Sequence, residues 1–128
     1  MAREIETKCI HLEEEENSIN HYGAISYPIY QSATYAHPGV GQSTGYDYSR
    51  LQNPTREHLE KTVASLENGI DALAFSSGMA AITLMMELFK PGDHLIVDAD
   101  LYGGSIRLFN HVSEKNRIEF SSVDCHNE

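Results

Sequence analysis

From Asn53 onward, apolar runs of strand length alternate with segments of helical spacing, and this narrows the choice of fold more than any other feature. DALAF (71–75) leads into SSGMAAITLMMELF. HLIVD (94–98) leads through the loop LYGGS into SIRLFNHV (105–112), and RIEFSSV (117–123) follows. Strands that alternate with helices imply right-handed βαβ units and a parallel sheet, here of three strands. The expected class is α/β. Ahead of the first strand, Asn53 can cap a helix that begins at Pro54, where a missing N–H costs nothing. Leu59, Val63 and Leu66 mark one face of that helix and Gly69 stops it. The helix after Ser77 is apolar on nearly all sides and is expected to be buried. Pro91-Gly92-Asp93 reads as a turn. A parallel sheet is normally covered by helices on both faces, and three strands supply too few. The chain is therefore expected to be the first part of a longer one.

Residues 1–50 read differently. Ile5, Cys9 and Leu12 fall at helical spacing, and Glu13 to Glu16 would be the solvated end of that short helix. HYGAISYPIYQSATYAHPGVGQSTGYDY (21–48) then holds neither helical nor strand periodicity. A loop of this length argues against packing within its own domain. Its tyrosines need a surface, and another subunit is the natural candidate. Residues 1–50 are thus expected to be an arm for oligomerisation, with the α/β portion over 51–128.

Composition excludes several functions. The net charge is -10 and the lysines are Lys8, Lys61, Lys90 and Lys115 alone, so no basic tract exists to bind nucleic acid. Cys9 and Cys125 lie far apart, without CxxC, and the seven histidines form no HxxxH pair, so neither a disulfide nor a metal site is expected. The N-terminus lacks an apolar signal core, and no run approaches a membrane span. Reduced thiols and no signal point to the cytoplasm.

In open α/β sheets, ligands bind beyond the carboxyl ends of the strands. Two loops are expected at that edge. Ser77, Gly78 and Met79 open a helix whose first N–H groups could hold a phosphate, with Gly78 allowing close approach. The same tripeptide also suits a plain Ser-capped turn. Tyr102 could stack on a planar heteroaromatic ring, or be an ordinary loop tyrosine. Tyr48 and Arg50 carry groups suited to phosphate oxygens, although a single Arg before a helix is usually a surface residue. Tyr46 reads as packing within the arm. GxxxxGK[ST], GxGxxG and GxSxG are all absent, which excludes a nucleotide P-loop, a dinucleotide fingerprint and a hydrolase elbow.

The ordered set YSRLQNPTREHLE (48–60), ASLENG (64–69), SSGMAAI (76–82) and PGDHLIVDADLYGGS (91–105) resembles the transsulfuration (Cys/Met metabolism) family of fold-type I pyridoxal-phosphate (PLP) enzymes. The resemblance runs from about residue 20 to the end. It implies part of a PLP-transferase (aspartate-aminotransferase-like) large domain preceded by an extended arm. It implies PLP as cofactor, its phosphate held by the Gly78 and Met79 amides with Ser77 beside them. Tyr102 would stack on the pyridine ring and, by touching it, count as catalytic. Tyr48 and Arg50 would reach the phosphate in a neighbouring subunit of a dimer or tetramer.

That family also uses a lysine in an SxTK-like context, joined to PLP as a Schiff base, and an Asp paired with the pyridine nitrogen. None of the four lysines has that context, so all read as solvated and this chain alone is expected to be inactive. The resemblance implies loss or exchange of a β- or γ-substituent on a small amino-acid substrate such as cystathionine, a homoserine ester (O-acylhomoserine), homocysteine or methionine. Methionine γ-lyases commonly carry Cys where Gly104 stands. The intact Asn53-Pro54-Thr55 differs from the enterobacterial cystathionine β-lyases. Both point to a cystathionine γ-synthase or γ-lyase, with an O-acetylhomoserine sulfhydrylase close behind and a methionine γ-lyase kept as an alternative within the same family. A non-catalytic oligomerisation fragment and a module for another phosphorylated ligand stay open as alternatives.

Overall fold

A computed structural model describes residues 4–10, 24 and 26–126. They form two compact units, Met1–Ala74 and Phe75–Glu128. Leu12, Glu13 to Glu16 and residues 21–23 fall outside the described residues, so the first helix is seen only as α1 (Ile5–Lys8).

In the first unit, α1 rests against α2 (Pro54–Leu66). Asn53 is extended, and its side-chain oxygen accepts from the Thr55 N–H at 2.9 Å, satisfying one of the donors that a helix start leaves open. The far end departs from expectation. The left-handed residue is Asn68 (φ 53°) rather than Gly69, and the Gly69 N–H reaches back to the Ala64 carbonyl at 2.8 Å. That is the six-to-one bond of a Schellman cap, and asparagine enters the left-handed region more easily than other side-chain-bearing residues. The face drawn by Leu59 and Val63 is exposed, and Ala64 is the apolar residue of α2 that is buried beside Pro54.

Residues 26–52 do pack locally, against the sequence expectation. Thr34 bridges Tyr48 in antiparallel sense, with Tyr35 N–H to Asp47 O at 3.2 Å and Ser49 N–H to Ala33 O at 2.9 Å. Tyr27 stacks on His58 of α2 at 3.8 Å between ring centres, and the Tyr46 phenol donates to Glu57 of α2. Tyr46 thus packs on Tyr35 within the arm, as expected, at 5.6 Å between ring centres, and also reaches α2. Ile29, Val40 and Leu51 remain exposed.

The second unit begins with DALAF's last residue. No strand forms over 71–75; an apolar run becomes a strand only beside another strand, none pairs with it among the described residues, and the Ala74 N–H donates instead to Glu60 Oε1 of α2 at 2.8 Å. The sheet accordingly has two strands. α3 (Gly78–Met85) runs into a 3-10 turn (Met86–Leu88), followed by β1 (His94–Asp98), α4 (Gly103–Asn116) and β2 (Glu119–Val123). β1 and β2 pair in parallel, His94 opposite Glu119 through Asp98 opposite Val123, around the crossover helix α4. This is the α/β, parallel βαβ arrangement expected. α4 extends beyond 105–112 at both ends, taking in Gly103 and Gly104 at its start and Ser113 to Asn116 at its end.

The core of this unit is Met86, Phe109 and Ile118, with Ile82, Leu95, Val97 and Phe120 packed against it. Phe109 and Phe120 meet at 5.8 Å between ring centres. α3 itself is not buried: its Leu84 and Met85, and Leu88 of the following turn, are exposed. Its all-round apolarity is a sequence fact, but two strands and one further helix cover a single face of it.

Candidate functional site

The start of α3 is built by Ser77. Its backbone is extended (φ -159°), its Oγ accepts from the Ala80 N–H at 3.1 Å, and its carbonyl accepts from the Ala81 N–H at 3.2 Å. The Ser-cap reading of this loop is therefore correct. It does not exclude the other, because two donors remain. Among the described residues, the N–H groups of Gly78 and Met79 have no acceptor. They sit where the helix dipole is positive, and the Ser77 hydroxyl still has its own proton to donate. A Cβ placed on Gly78 would meet nothing within 4 Å, so open space lies against these amides. Three donors around a side-chain-free approach fit a phosphate group.

The second loop comes to the same place within this unit. Tyr102 precedes α4, and its carbonyl accepts from the Ser105 N–H at 2.8 Å, which starts the helix. Ser105 is buried and its Oγ lies 3.8 Å from Met79 Sδ, tying the start of α4 to the start of α3. The Tyr102 ring is 72% exposed, leaving a face free for a planar ligand. Ser77, Gly78, Met79 and Tyr102 are thus brought together. Sequence alone noted Gly104 only through the resemblance and did not single out Ser105; these two residues join the two loops.

Tyr48 and Arg50 belong to the first unit. The Arg50 guanidinium lies 5.2 Å from the Tyr48 ring centre, a cation–π distance, and both side chains are exposed. No hydrogen bond or ion pair reaches Arg50 among the described residues. Asn53 is the hub beneath them: its Nδ2 donates to Tyr30 O (3.1 Å), Ser49 Oγ (3.1 Å) and Tyr35 Oη (3.3 Å). Its place in the NPT motif is thus structural as well as capping.

Other titrating groups lie elsewhere. A hydrogen bond with Asp98 pushes the Cys125 thiol above its usual range, so it stays protonated near neutrality. Lys61 pairs with Glu57 at 2.9 Å, as expected of a solvated helix lysine. Cys9 and Cys125 are both free and exposed. Among the described residues no group of His, Cys, Asp or Glu could hold a metal ion, and no helix is long and apolar enough to cross a membrane.

Comparison with known proteins gives the site its context. The family described as Cys/Met metabolism PLP-dependent enzyme matches residues 6–128. A cystathionine gamma-synthase/O-acetylhomoserine (thiol)-lyase of Bacillus subtilis is 48% identical over 98% of this chain and 34% of its own length. A cystathionine gamma-lyase of the same organism is 53% identical over 80% of this chain and 27% of its own. Among solved structures, a cystathionine gamma synthase from Xanthomonas oryzae pv. oryzae, in complex with aminoacrylate and cysteine, superposes with a TM-score of 0.83. It is 35% identical over 97% of this chain and 32% of that one. The chain thus spans about a third of the length of these relatives. With a match over nearly every residue and relatives at about half identity, the chain belongs to the Cys/Met metabolism family of PLP-dependent enzymes.

Proposed function

We propose that this chain forms the phosphate seat and ring platform of a PLP site, in an enzyme that eliminates or replaces the γ- (or β-) substituent of cystathionine or an O-acylhomoserine. The observation that carries the reading is the pair of acceptor-free N–H groups at Gly78 and Met79, facing open space beside the exposed Tyr102 ring. PLP supplies an electron sink that weakens the bonds at the α-carbon of an amino acid. The residues of this chain hold and orient it. Gly78 and Met79 donate to the phosphate, Ser77 donates beside them, and Tyr102 covers one face of the ring and keeps water from it. Tyr48 and Arg50 serve the phosphate bound by a neighbouring subunit, within a dimer or tetramer of the complete enzyme. The free thiols fit a cytoplasmic setting.

The reaction is of the cystathionine γ-synthase or γ-lyase type. A sulfhydrylase is the second reading, favoured by the double name of the Bacillus subtilis relative. None of the four lysines lies in the context that would carry the cofactor, so the chain alone binds without turnover.

Titration of the chain with PLP, followed by absorbance, tests this. Saturable binding with equal occupancy by pyridoxine phosphate is expected, since a phosphate seat needs no aldehyde. Reaction that requires the aldehyde and never saturates would mark random lysine labelling and overturn the reading. Sustained release of a 2-oxo acid from cystathionine would overturn the assignment of the lysines.

A further inference from the structure

Gly104 is the second residue of α4, and its φ is not in the left-handed region, so its backbone accepts any residue. Glycine is a poorer helix former than alanine. Conformation therefore gives no reason for glycine here. Space does. A Cβ on Gly104 would lie 2.5 Å from Tyr102 Cε1, 3.1 Å from Tyr102 Cδ1 and 3.3 Å from Met79 Sδ. Gly78 and Gly103, the other glycines of these loops, would meet nothing within 4 Å.

Carbon atoms in contact sit about 3.5–4.0 Å apart, so the edge of the Tyr102 ring fills the volume that a methyl group would need. On the other side Met79 Sδ is held by the buried Ser105 hydroxyl. The ring edge from one loop and the thioether from the other meet over the bare Cα of Gly104. A methyl added there displaces whichever neighbour moves most easily. That neighbour is the ring, which is exposed and held at one end only.

We propose that Gly104 is a positioning residue, its missing side chain setting how far the Tyr102 ring lies down toward Met79 and so the tilt of the platform offered to the cofactor. This rests on the proposed PLP site, in which Met79 donates to the phosphate and Tyr102 faces the pyridine. The distance between phosphate seat and ring platform is then fixed by one absent methyl. Gly104→Ala should push the ring edge out by about 1 Å while leaving the fold in place.

The test uses the full 128-residue chain with 13C-labelled tyrosine, the Tyr102 ring signals being assigned by their loss in Tyr102→Phe. In Gly104→Ala these signals should move, the melting midpoint should stay within a few degrees, and Gly103→Ala should leave the signals in place. With pyridoxine phosphate as probe, Gly104→Ala should keep affinity within about twofold, the phosphate seat being intact. Its induced circular dichroism, which reads the stacking geometry, should fall by more than half. Tyr102 signals in Gly104→Ala that superpose on those of the parent would overturn the proposal. If the parent chain itself gives no induced signal with the probe, the PLP reading fails and the ring-position result still stands or falls by the labelled spectra. Should Gly104→Ala unfold, adding Tyr102→Ala removes the clashing ring and must restore the fold. A double variant that stays unfolded would place the clash elsewhere and refute the assignment.

Discussion

Asn53→Ala removes more than a helix cap. The side-chain oxygen that satisfies the Thr55 N–H is lost, and an N-cap of this kind contributes about 1 kcal/mol. The amide donor that reaches Tyr30 O, Ser49 Oγ and Tyr35 Oη is lost with it. All three contacts are half-buried, but the two hydroxyls can turn to other partners and the carbonyl cannot, so one net hydrogen bond of about 1 kcal/mol is the fair allowance. The sum is about 2 kcal/mol. It falls on the contact between residues 26–52 and α2, so local opening rather than global unfolding should report it. The assay is amide hydrogen exchange at Tyr30, whose N–H donates to Thr55 Oγ1 at 2.8 Å, and at Tyr35 and Ser49, which close the Thr34–Tyr48 bridge. About 2 kcal/mol corresponds to roughly 30-fold faster exchange. Asn53→Asp separates the two roles, because a carboxylate still caps but cannot donate. It should protect the first turn of α2 while the three arm amides exchange as fast as in Asn53→Ala. Exchange at Tyr35 and Ser49 changed less than threefold in Asn53→Ala would refute the hub.

Three further outcomes are expected. Burial holds the His58 imidazole below its usual range, and the Tyr46 phenol, then Lys61, hold the Glu57 carboxyl below its own. In both cases the unfolded chain binds the proton first. Stability of the first unit should therefore begin to fall as the pH drops below the ordinary imidazole value and again below the ordinary carboxylate value, each loss running down to the lowered native value, read as urea midpoints, and Tyr46→Phe should flatten the lower step. The isolated chain should bind a hydrophobic dye through Leu84, Met85 and Leu88, and a sharp cooperative melt of a dye-silent monomer would contradict this. In a protein of the relatives' full length, Arg50→Ala should weaken PLP retention by about 1.5–3 kcal/mol. Mixing it with a subunit lacking the cofactor lysine should restore one active site, and no recovery in verified mixed dimers would place Arg50 in its own subunit's site.

What the sequence made legible was local. Asn53-Pro54 reads as a helix start because capping chemistry acts over three residues, and HLIVD reads as a strand because a turn and a loop bound it; the structure places it at His94–Asp98. The Ser77 cap and the Gly78–Met79 opening were legible for the same reason. What failed depended on partners. DALAF has strand character but no strand beside it, and the burial expected of α3 needs more cover than β1, β2 and α4 provide. The local packing of residues 26–52 went unread because Tyr27 with His58, and Tyr46 with Glu57, are pairings with no period to betray them. Gly104 was noticed only by resemblance, since its role depends on where the Tyr102 ring lies.

The central claim is that an anionic cofactor group sits on the amides of Gly78 and Met79. An amide-resolved NMR titration of the chain with pyridoxine phosphate addresses it most directly, because these two N–H groups have no acceptor among the described residues and must gain one on binding. The account predicts saturable downfield shifts at Gly78 and Met79, with Tyr102 ring signals moving at the same concentration and distant amides such as Asn110 unmoved. Saturable binding that leaves Gly78 and Met79 unshifted, or shifts centred on another part of the chain, would contradict it.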